Sequence, residues 1–342
     1  MSNQSDLVLK GDRIAISKSI TAIENRDSGS GELLKALFPH TGHAFVIGIT
    51  GPPGTGKSSL VDQLTRIYRS KVKRVAILAV DPTSPVSGGA ILGDRVRMIE
   101  HSLDPGVYIR SMASRGDEGG LSRATRNAIR VLDAAGNEIV IVETVGIGQA
   151  EVEIVQVADL VIVVLMPELG DEVQAIKAGL MEIGDIFAIN KCDLPGADKV
   201  IYNLQSILST RGDWTQESVK ISAKTGEGLE NLVSIIEKYR STFVRSEAAK
   251  QRKIENLSEE LVRNVVFVLA EKVERSLRRD NRFSSVVSKV ANRELDPESA
   301  TQRLLQMLLL RSENQTNSDK RVDVKGKAKI RPKEKSKLKG RR

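Results

Sequence analysis

Residues Gly51–Ser58, with the sequence Gly-Pro-Pro-Gly-Thr-Gly-Lys-Ser, constrain the fold of this 342-residue chain more than any other feature. They match the pattern G-x-x-x-x-G-K-[ST] and stand directly between an aliphatic run, Phe45–Ile49, and a stretch with helical periodicity, Ser58–Arg69. Glycines allow backbone N–H groups to wrap around a phosphate, and the dipole of a following helix favours the negative charge. The pattern therefore predicts a strand, a phosphate-binding loop and a helix in immediate succession.

Two side chains of this loop have distinct expected roles. Lys57 is expected to reach the β- and γ-phosphates of a nucleotide and so to act in catalysis, and the Ser58 hydroxyl is expected to ligate Mg²⁺. The residues predicted to bind the nucleotide at this loop are Gly51, Pro52, Pro53, Gly54, Thr55, Gly56, Lys57, Ser58 and Ser59.

From about residue 44 to residue 243, short aliphatic runs alternate with helical stretches. This alternation is typical of an α/β fold with a mostly parallel, doubly wound sheet. Aromatic residues make up only 3% of the chain, so the core must consist of Ile, Val, Leu and Ala, which suits strands that are buried on both faces. The predicted strands are Phe45–Ile49, Arg74–Val80, Val107–Arg110, Glu138–Glu143, Leu160–Met166, Ile186–Asn190 and Ser218–Ile221.

Changes in pattern divide the chain into four segments. After about Thr242 no strand pattern returns, and helical periodicity covers residues 247–278 and 297–311. The predicted segments are an N-terminal helical extension (1–43), a nucleotide-binding domain (44–243), a C-terminal helical segment (244–313) and a disordered basic tail (314–342).

Apolar residues indicate the buried faces of the two helical segments. In the C-terminal segment, Leu304–Leu310 crowd apolar side chains onto the last predicted helix. A patch of that size must be covered, either by the domain or by a second subunit. The residues expected on one side of the N-terminal helices are Leu7, Ile14, Ile16, Ile20 and Ile23.

Two motifs after later strands predict recognition of a guanine base. Asn190-Lys-Cys-Asp193 matches N-K-x-D, and Ser222-Ala-Lys224 follows the next strand. The Asp193 carboxylate can accept two hydrogen bonds from guanine N1–H and N2–H₂, whereas adenine offers neither donor and would leave the carboxylate unpaired. Lys191 is expected to lie along the base, and the Ala223 N–H to meet guanine O6. The residues predicted to bind the base are Asn190, Lys191, Asp193, Ser222, Ala223 and Lys224.

The metal and the γ-phosphate are expected to meet residues at two further strand ends. Glu143-Thr-Val-Gly146 ends the fourth predicted strand and offers a carboxylate, Glu where most GTPases have Asp, that would steady Mg²⁺ through water, and a glycine amide that would face the γ-phosphate. Asp81 and Asp94 are candidates for the outer shell of the metal, with helix capping as the alternative role of Asp94. Ile147 follows Gly146 where Ras-like GTPases carry a water-positioning Gln, and whether Gln149, two residues further on, replaces it stays open. Unaided hydrolysis of GTP is therefore expected to be slow, of the order of 10⁻³ s⁻¹.

Charge and composition exclude several other classes of protein. Residues Lys320–Arg342 carry a net charge of +10, so residues 1–319 carry −2 and the body is nearly neutral. The tail is interpreted as a solvated, disordered extension, with nucleic-acid binding as the alternative. The single cysteine, Cys192, excludes an internal disulfide. No apolar run approaches the ~18 residues of a membrane span and no secretory signal is readable, so we expect a cytoplasmic protein without membrane contact.

The order of these motifs resembles the MeaB/ArgK family, the GTPase chaperones of cobalamin-dependent acyl-CoA mutases. The resemblance covers roughly residues 5–310, and its most specific parts are D-P-T-S-P, G-G-A-I-L-G-D-R-V-R-M, S-R-G-D-E-G-G and E-T-V-G-I-G-Q. It implies a P-loop G domain flanked by helical segments, a homodimer formed by the C-terminal helices, and hydrolysis of GTP to GDP. It also implies that hydrolysis gates cobalamin delivery to, and protects, methylmalonyl-CoA mutase or a related mutase.

The resemblance also assigns roles to individual residues. Lys177, at the end of the loop Pro167–Lys177, resembles a functional lysine in a loop that responds to the mutase. Asp117-Glu118 replaces a usually less charged pair, and the basic tail has no dependable counterpart in the family. The residues that would surround Mg²⁺ are Ser58, Asp81, Asp94 and Glu143.

Three other functions remain open at this point. Some relatives carry an older label as kinases of periplasmic amino-acid-binding proteins, but no phosphoacceptor or base for a protein hydroxyl is readable in this sequence. A nickel metallochaperone would need a His/Cys cluster, and the chain has only three histidines and one cysteine. A nucleic-acid-binding GTPase is suggested by the basic tail alone.

Overall fold

A computed structural model describes residues 2–72, 74–81, 99–113, 123–144, 153–167, 178–205, 208, 210–211, 214–243 and 246–307. The chain divides into two compact units, residues 1–256 and 257–342. The division falls inside the helix Glu247–Arg278. Arg252 and Asn256, in the part of that helix assigned to the first unit, hydrogen-bond to Asp185 and Val155.

The described part of the first unit contains a seven-stranded sheet in which every strand pair is parallel. The described strands, in chain order, are β1 (Phe45–Thr50), β2 (Val75–Asp81), β3 (Val107–Ala113), β4 (Ile139–Thr144), β5 (Leu160–Leu165), β6 (Ile186–Ile189), β7 (Thr210–Arg211), β8 (Trp214–Thr215) and β9 (Glu217–Lys220). Of these, β7 and β8 pair with each other and are not part of the seven-stranded sheet. The order across the sheet is β3-β2-β4-β1-β5-β6-β9, and all seven predicted runs contribute a strand. The predicted α/β fold with a parallel sheet is confirmed.

The central strands are buried on both faces. Every residue of β1, β4 and β5 is buried, as expected of aliphatic strands covered by helices on either side. Alternate residues supply two separate cores, so that Ile47 and Ile49 pack on one face while Val46 packs on the other.

Helices cover both faces and give the doubly wound arrangement. Side chains of α4 and α9 pack in the core that contains Ile47, and those of α2, α6, α7 and α8 pack in the other. The described helices are α1 (Ser2–Leu9), α2 (Arg13–Asn25), α3 (Ser30–Leu37), α4 (Lys57–Lys71), α5 (Ile99–Ser102), α6 (Arg123–Ala134), α7 (Ala178–Ile183), α8 (Ala197–Gln205), α9 (Leu229–Thr242), α10 (Glu247–Arg278), α11 (Asn281–Ala291) and α12 (residues 297–307).

The N-terminal extension forms three helices, and its buried face differs from the predicted one. Ile16, Ile20 and Ile23 are buried against the sheet domain, but Ile14 is 66% exposed. Ile14 precedes Ile16 by two residues, which is about 200° around a helix, so the two cannot share a face. Leu7 is also exposed: it lies on the separate helix α1, where Ser5 and Val8 are buried.

A short antiparallel ribbon formed by β7 and β8 was not expected from the sequence. Each strand has two residues, too few to show an alternating pattern. Trp214 of β8 is buried, and its ring lies 4.8 Å from that of Tyr239 in an edge-to-face contact.

The second unit consists of helices wherever it is described: the remainder of α10, then α11 and α12. Helix α11 was not predicted from the sequence, although the Asp280 side chain accepts the Arg282 N–H as its N-cap. Of the predicted Leu304–Leu310 patch, Leu305 is 47% exposed and residues 308–310 lie outside the described chain.

Candidate functional site: a guanine-nucleotide site at the carboxyl edge of the sheet

The strand order brings the predicted motifs to one edge of the sheet. β1 lies between β4 and β5, and the chain leaves β1 towards β2 but reaches β5 on the opposite side. In open α/β sheets a ligand binds beyond the carboxyl ends of the strands at such a point of reversal. At this edge the phosphate loop follows β1, Glu143 lies near the end of β4, and the N-K-x-D motif follows β6.

Two glycines of the phosphate loop lie where a neighbouring backbone or side-chain group leaves no room for a Cβ. Gly51 has φ +136°, and a Cβ there would lie 2.2 Å from the Val164 carbonyl oxygen of β5. Gly56 has φ +88°, and a Cβ there would lie 2.3 Å from the Asn190 amide nitrogen. The phosphate loop therefore packs closely against both the end of β5 and the N-K-x-D motif.

Lys57 is held inside the loop that it is predicted to serve. Its side chain is almost fully buried, and Nζ donates hydrogen bonds to the carbonyl oxygens of Gly51 at 2.9 Å and Pro52 at 3.1 Å. The Thr55 hydroxyl donates to the same Pro52 oxygen at 2.9 Å. These contacts place the ammonium among the backbone groups that would surround a phosphate chain.

Ser58 and Glu143 meet as the sequence predicts for a magnesium site. The Ser58 hydroxyl, in the first turn of α4, donates to Glu143 Oε1 at 2.6 Å, and both residues are buried. The contact follows from strand order, because Glu143 on β4 is paired with Ile49 of β1. A hydroxyl and a carboxylate are the hard oxygen donors that Mg²⁺ takes beside phosphate and water, so these residues fit that ion.

The other predicted metal residues are only partly covered by the structure. Asp81 is the last residue of β2, next to β4, and so lies at the same edge, whereas Asp94 lies outside the described residues. Within the described ranges, no three His, Cys, Asp or Glu side chains come together as a ready metal-ligand set.

Asn190 joins the phosphate loop to the base-binding loops. Its side-chain amide donates to the Thr55 carbonyl oxygen at 2.7 Å, and its side-chain oxygen accepts the Ala223 N–H at 2.9 Å. Asn190 is only 2% exposed. Its hydrogen bonds thus fix the relative position of three loops that are far apart in sequence.

Asp193 presents an ionised carboxylate at the surface. The Ser222 hydroxyl donates to Asp193 Oδ1 at 2.7 Å, and this hydrogen bond is the main cause of a pKa below the usual value for an aspartate. Ser222 is buried, whereas Asp193 and Lys224 are exposed. An anchored acceptor of this kind is what recognition of guanine N1–H and N2–H₂ requires.

Lys191 has an unusual backbone and a contact that the sequence did not indicate. Its φ is +59°, in the left-handed region, and its Nζ lies 3.3 Å from Met166 Sδ at the end of β5. A second missed contact joins the Thr144 and Thr50 hydroxyls, 3.0 Å apart and buried. Both contacts involve residues adjacent to strand ends, which is the only sequence signal that could have suggested them.

Three sites named from the sequence lie where the structure gives no description: Gly146, Lys177 and the Asp117-Glu118 pair. Pro167, the first residue of the Pro167–Lys177 loop, is described, and its Cβ would lie 3.5 Å from a Cβ built on Gly196. The start of that loop therefore lies beside the base-binding segment.

Comparison with known proteins assigns the chain to a family. Residues 16–277 match the family model "Methylmalonyl Co-A mutase-associated GTPase MeaB". The chain belongs to the MeaB family. A Pyrococcus abyssi protein named "Putative GTPase" is 45% identical over 306 residues, which are 88% of this chain and 94% of the relative.

Two further relatives of this MeaB-family chain bear on its role. The mouse protein named "Methylmalonic aciduria type A homolog, mitochondrial" is 32% identical over 271 residues, 73% of this chain and 65% of the relative. The crystal structure of a LAO/AO transport system kinase aligns with a TM-score of 0.65 and 25% identity, over 90% of this chain and 97% of the other.

Where the MeaB-family chain is described, none of its helices is both long and apolar enough to cross a bilayer.

Proposed function

We propose that this MeaB-family chain hydrolyses GTP to GDP and phosphate with Mg²⁺. We also propose that it acts as a G-protein chaperone, gating cobalamin delivery to, and protecting, a cobalamin-dependent acyl-CoA mutase such as methylmalonyl-CoA mutase. The observation that carries the proposal is the shared edge, where the Ser58–Glu143 pair and the Asp193–Ser222 pair are tied together by the hydrogen bonds of Asn190.

Selection of the base rests on hydrogen-bond capacity. Ser222 donates to one oxygen of Asp193, so the carboxylate stays oriented and ionised and keeps acceptor positions for guanine N1–H and N2–H₂. The Ala223 N–H, predicted to meet guanine O6, donates to Asn190 Oδ1 at 2.9 Å, so it would have to share that hydrogen bond with the base or exchange it. Adenine would leave the Asp193 acceptors unsatisfied, which supports preference for GTP over ATP.

Phosphate binding and hydrolysis rest on the loop and on α4. Lys57 would exchange its two carbonyl contacts for the β- and γ-phosphate oxygens, to which an ammonium binds more strongly than to a neutral carbonyl. Ser58 and Glu143 would hold Mg²⁺, with Asp81 and Asp94 in its outer shell. When bound, Mg²⁺ neutralises charge on the transferred phosphoryl group. The Gly146 amide would face the γ-phosphate.

The mutase enters the proposal as an activating partner. Family membership and the likeness to the mouse methylmalonic aciduria type A homolog support this link. Ile147 stands where Ras-like proteins have a Gln, so a site with Lys57 and a metal would still order the attacking water poorly. Completion of a GTPase site by a partner accelerates hydrolysis by roughly 10³–10⁵. We propose that Lys177 contributes part of that effect.

Single-turnover GTP hydrolysis with and without a mutase tests this role. The wild type and a Lys177→Ala variant are compared with Lys199→Ala, which removes an exposed helical lysine elsewhere on the domain. We expect stimulation of the wild type and of Lys199→Ala, and weaker stimulation of Lys177→Ala. Equal stimulation of all three removes Lys177 from the mechanism, and no stimulation of any removes the mutase.

Assembly into a homodimer is proposed on the apolar surface of the second unit. Eight aliphatic side chains on one helix are exposed, which is more apolar surface than a monomer usually leaves to solvent. They are Leu257, Leu261, Val262, Val265, Val266, Val268, Leu269 and Val273. Light scattering at micromolar concentration should give twice the 37.4 kDa mass of one chain, and a well-folded particle of one chain's mass contradicts the proposal.

A kinase of periplasmic amino-acid-binding proteins is the second candidate, favoured by the alignment with the LAO/AO transport system kinase. The two functions differ in the fate of the γ-phosphate. With γ-labelled GTP, release of all label as inorganic phosphate supports the GTPase, and label on a binding protein supports the kinase.

A cytoplasmic location is part of the proposal for the chaperone.

A further inference from the structure

The end of β5 touches both halves of the nucleotide site. At Val164 its carbonyl oxygen lies under Gly51 of the phosphate loop, at the distance that excludes a side chain there. Two residues later, Met166 Sδ lies 3.3 Å from Lys191 Nζ. None of the motifs predicted from the sequence includes Met166, which is partly exposed.

Hydrogen bonds hold the backbone before and after Lys191, whereas its side chain is long and flexible. Asn190 N donates to the Leu165 oxygen at 2.8 Å, Cys192 N to the Ile221 oxygen at 3.0 Å, and Leu194 N to the Lys191 oxygen at 2.9 Å. Lys191 also has a left-handed φ of +59°, a strained conformation for a residue with a side chain, and such strain is concentrated at binding sites. The backbone therefore sets the origin and direction of the side chain but not the position of its tip.

Met166 supplies the contact that places that tip. A thioether is a weak hydrogen-bond acceptor, and the flexible, polarisable methionine side chain can follow the four-carbon stem of a lysine. Pro167, the next residue, packs near Gly196, which follows the N-K-x-D motif in the chain. This contact keeps the neighbouring Met166 beside the motif. We propose that Met166 is a positioning residue of the guanine site, seating the Lys191 side chain along the plane that the base occupies.

This inference rests on the proposed guanine site, and it predicts an effect that is different in kind from that of Asp193. A lysine stem that covers the face of a purine contacts guanine and hypoxanthine alike, because both present the same ring face. Loss of Met166 should therefore speed release of GDP and of inosine diphosphate by the same factor. Asp193, in contrast, distinguishes the two bases, since only guanine has the N2 amino group.

A double-mutant cycle tests directly whether Met166 positions the Lys191 side chain. Dissociation rates of fluorescent GDP are measured for wild type, Met166→Ala, Met166→Leu, Lys191→Ala and the two double variants. Met181→Leu, a partly buried methionine that packs in the core, serves as the matched control. We expect release about three- to tenfold faster in Met166→Ala, a smaller increase in Met166→Leu, which keeps the apolar contact but not the sulfur, and no change in Met181→Leu.

The cycle separates positioning from simple core filling. If Met166 acts through Lys191, Met166→Ala adds nothing in the Lys191→Ala background. An additive effect, or an unchanged GDP release rate in Met166→Ala, overturns the inference while leaving the guanine site intact. A wild type that binds ADP as tightly as GDP contradicts the guanine site itself and the inference with it.

Discussion

Aspartates and glutamates lie next to strand ends at both the carboxyl and the amino edge of the parallel sheet, but their hydrogen-bond partners differ. At the carboxyl edge, Asp193 and Glu143 each meet a serine hydroxyl. At the amino edge, Asp185 precedes β6 and is 2% exposed, with Oδ2 accepting the Val161 N–H at 2.8 Å. Its other oxygen faces the Arg252 guanidinium at 3.3 Å.

Asp159 repeats this arrangement one strand away. It precedes β5, and its Oδ2 accepts the Val46 N–H at 2.8 Å while its own N–H donates to the Val46 oxygen. The Tyr239 hydroxyl donates to the Asp159 backbone oxygen at 2.9 Å. The amino-edge carboxylates thus accept backbone N–H groups and, at Asp185, also pair with Arg252 of α10. Those of the carboxyl edge accept from hydroxyls that a nucleotide or Mg²⁺ can displace or share.

The comparison teaches that the partners of a carboxylate, rather than its position at a strand end, indicate its role. Backbone N–H groups are fixed in number and direction, so a carboxylate that accepts them holds the fold together. A hydroxyl can rotate and also donates to other acceptors, so its partner remains adaptable. Substitutions at the carboxyl edge should therefore alter nucleotide handling, and those at the amino edge should alter stability.

The largest effect is expected at Lys57. Lys57→Ala should lower the rate of GTP hydrolysis by about 10²–10³ or more, because it removes a preorganised positive charge from the γ-phosphate. The rate is measured by phosphate release. Lys71→Ala, at the exposed end of the same helix, is the control and should be unaffected. A Lys57→Ala variant with wild-type activity would break the assignment of this edge.

The next effect is expected at Asp185. Asp185→Asn leaves the partly buried Arg252 guanidinium without its hydrogen-bonded anionic partner, and the free energy of unfolding should fall by about 2 kcal/mol. GDP affinity should stay within error, since Asp185 lies at the opposite edge. Urea unfolding gives the stability, with Asp198→Asn as control, because its ion pair with Lys220 is exposed. A variant of full stability with impaired GDP binding would reverse the comparison.

A smaller effect is expected from the pH dependence of Asp159. Burial of its carboxyl raises the pKa, partly offset by the Val46 N–H, Lys253 and Arg252. The folded protein then binds more protons than the unfolded chain, so the free energy of unfolding should decrease as the pH rises from about 4 through the folded-state pKa.

Asp159→Asn should remove that contribution and keep an acceptor for Val46 N–H, so at pH 7 the variant should be as stable as the wild type or more stable by up to about 1 kcal/mol. Unfolding by urea at several pH values measures both. A steeper loss of stability with rising pH in the variant is the outcome that would contradict this interpretation.

Much of the fold was readable from the sequence because its strands are long aliphatic runs. The runs that become β1, β4 and β5 are buried throughout, and burial on both faces leaves a continuous signal. The two-residue strands β7 and β8 carry no such signal. The exposure of Ile14 was misjudged because the predicted helical side ignored the two-residue spacing to Ile16.

The site was readable in its motifs but not in its connections. The spacing of the phosphate loop and of N-K-x-D predicts which residues face a nucleotide, since each motif is local. The hydrogen bonds of Asn190 to Thr55 and Ala223 join residues 135 and 33 positions apart, and only the strand order brings them together. The contact of Met166 with Lys191 depends on the same order.

The specificity of Asp193 tests the central claim most directly. Xanthine carries a C2 carbonyl where guanine has the amino group, so the amide of an Asp193→Asn variant can donate to xanthine but cannot accept both guanine donors. Binding of GDP and xanthosine diphosphate is measured by titration calorimetry for wild type and variant. We expect the wild type to prefer GDP and the variant to prefer xanthosine diphosphate, with the ratio of affinities moving by roughly 10² or more. An unchanged preference for GDP in Asp193→Asn would contradict the assignment of this edge as a guanine-nucleotide site.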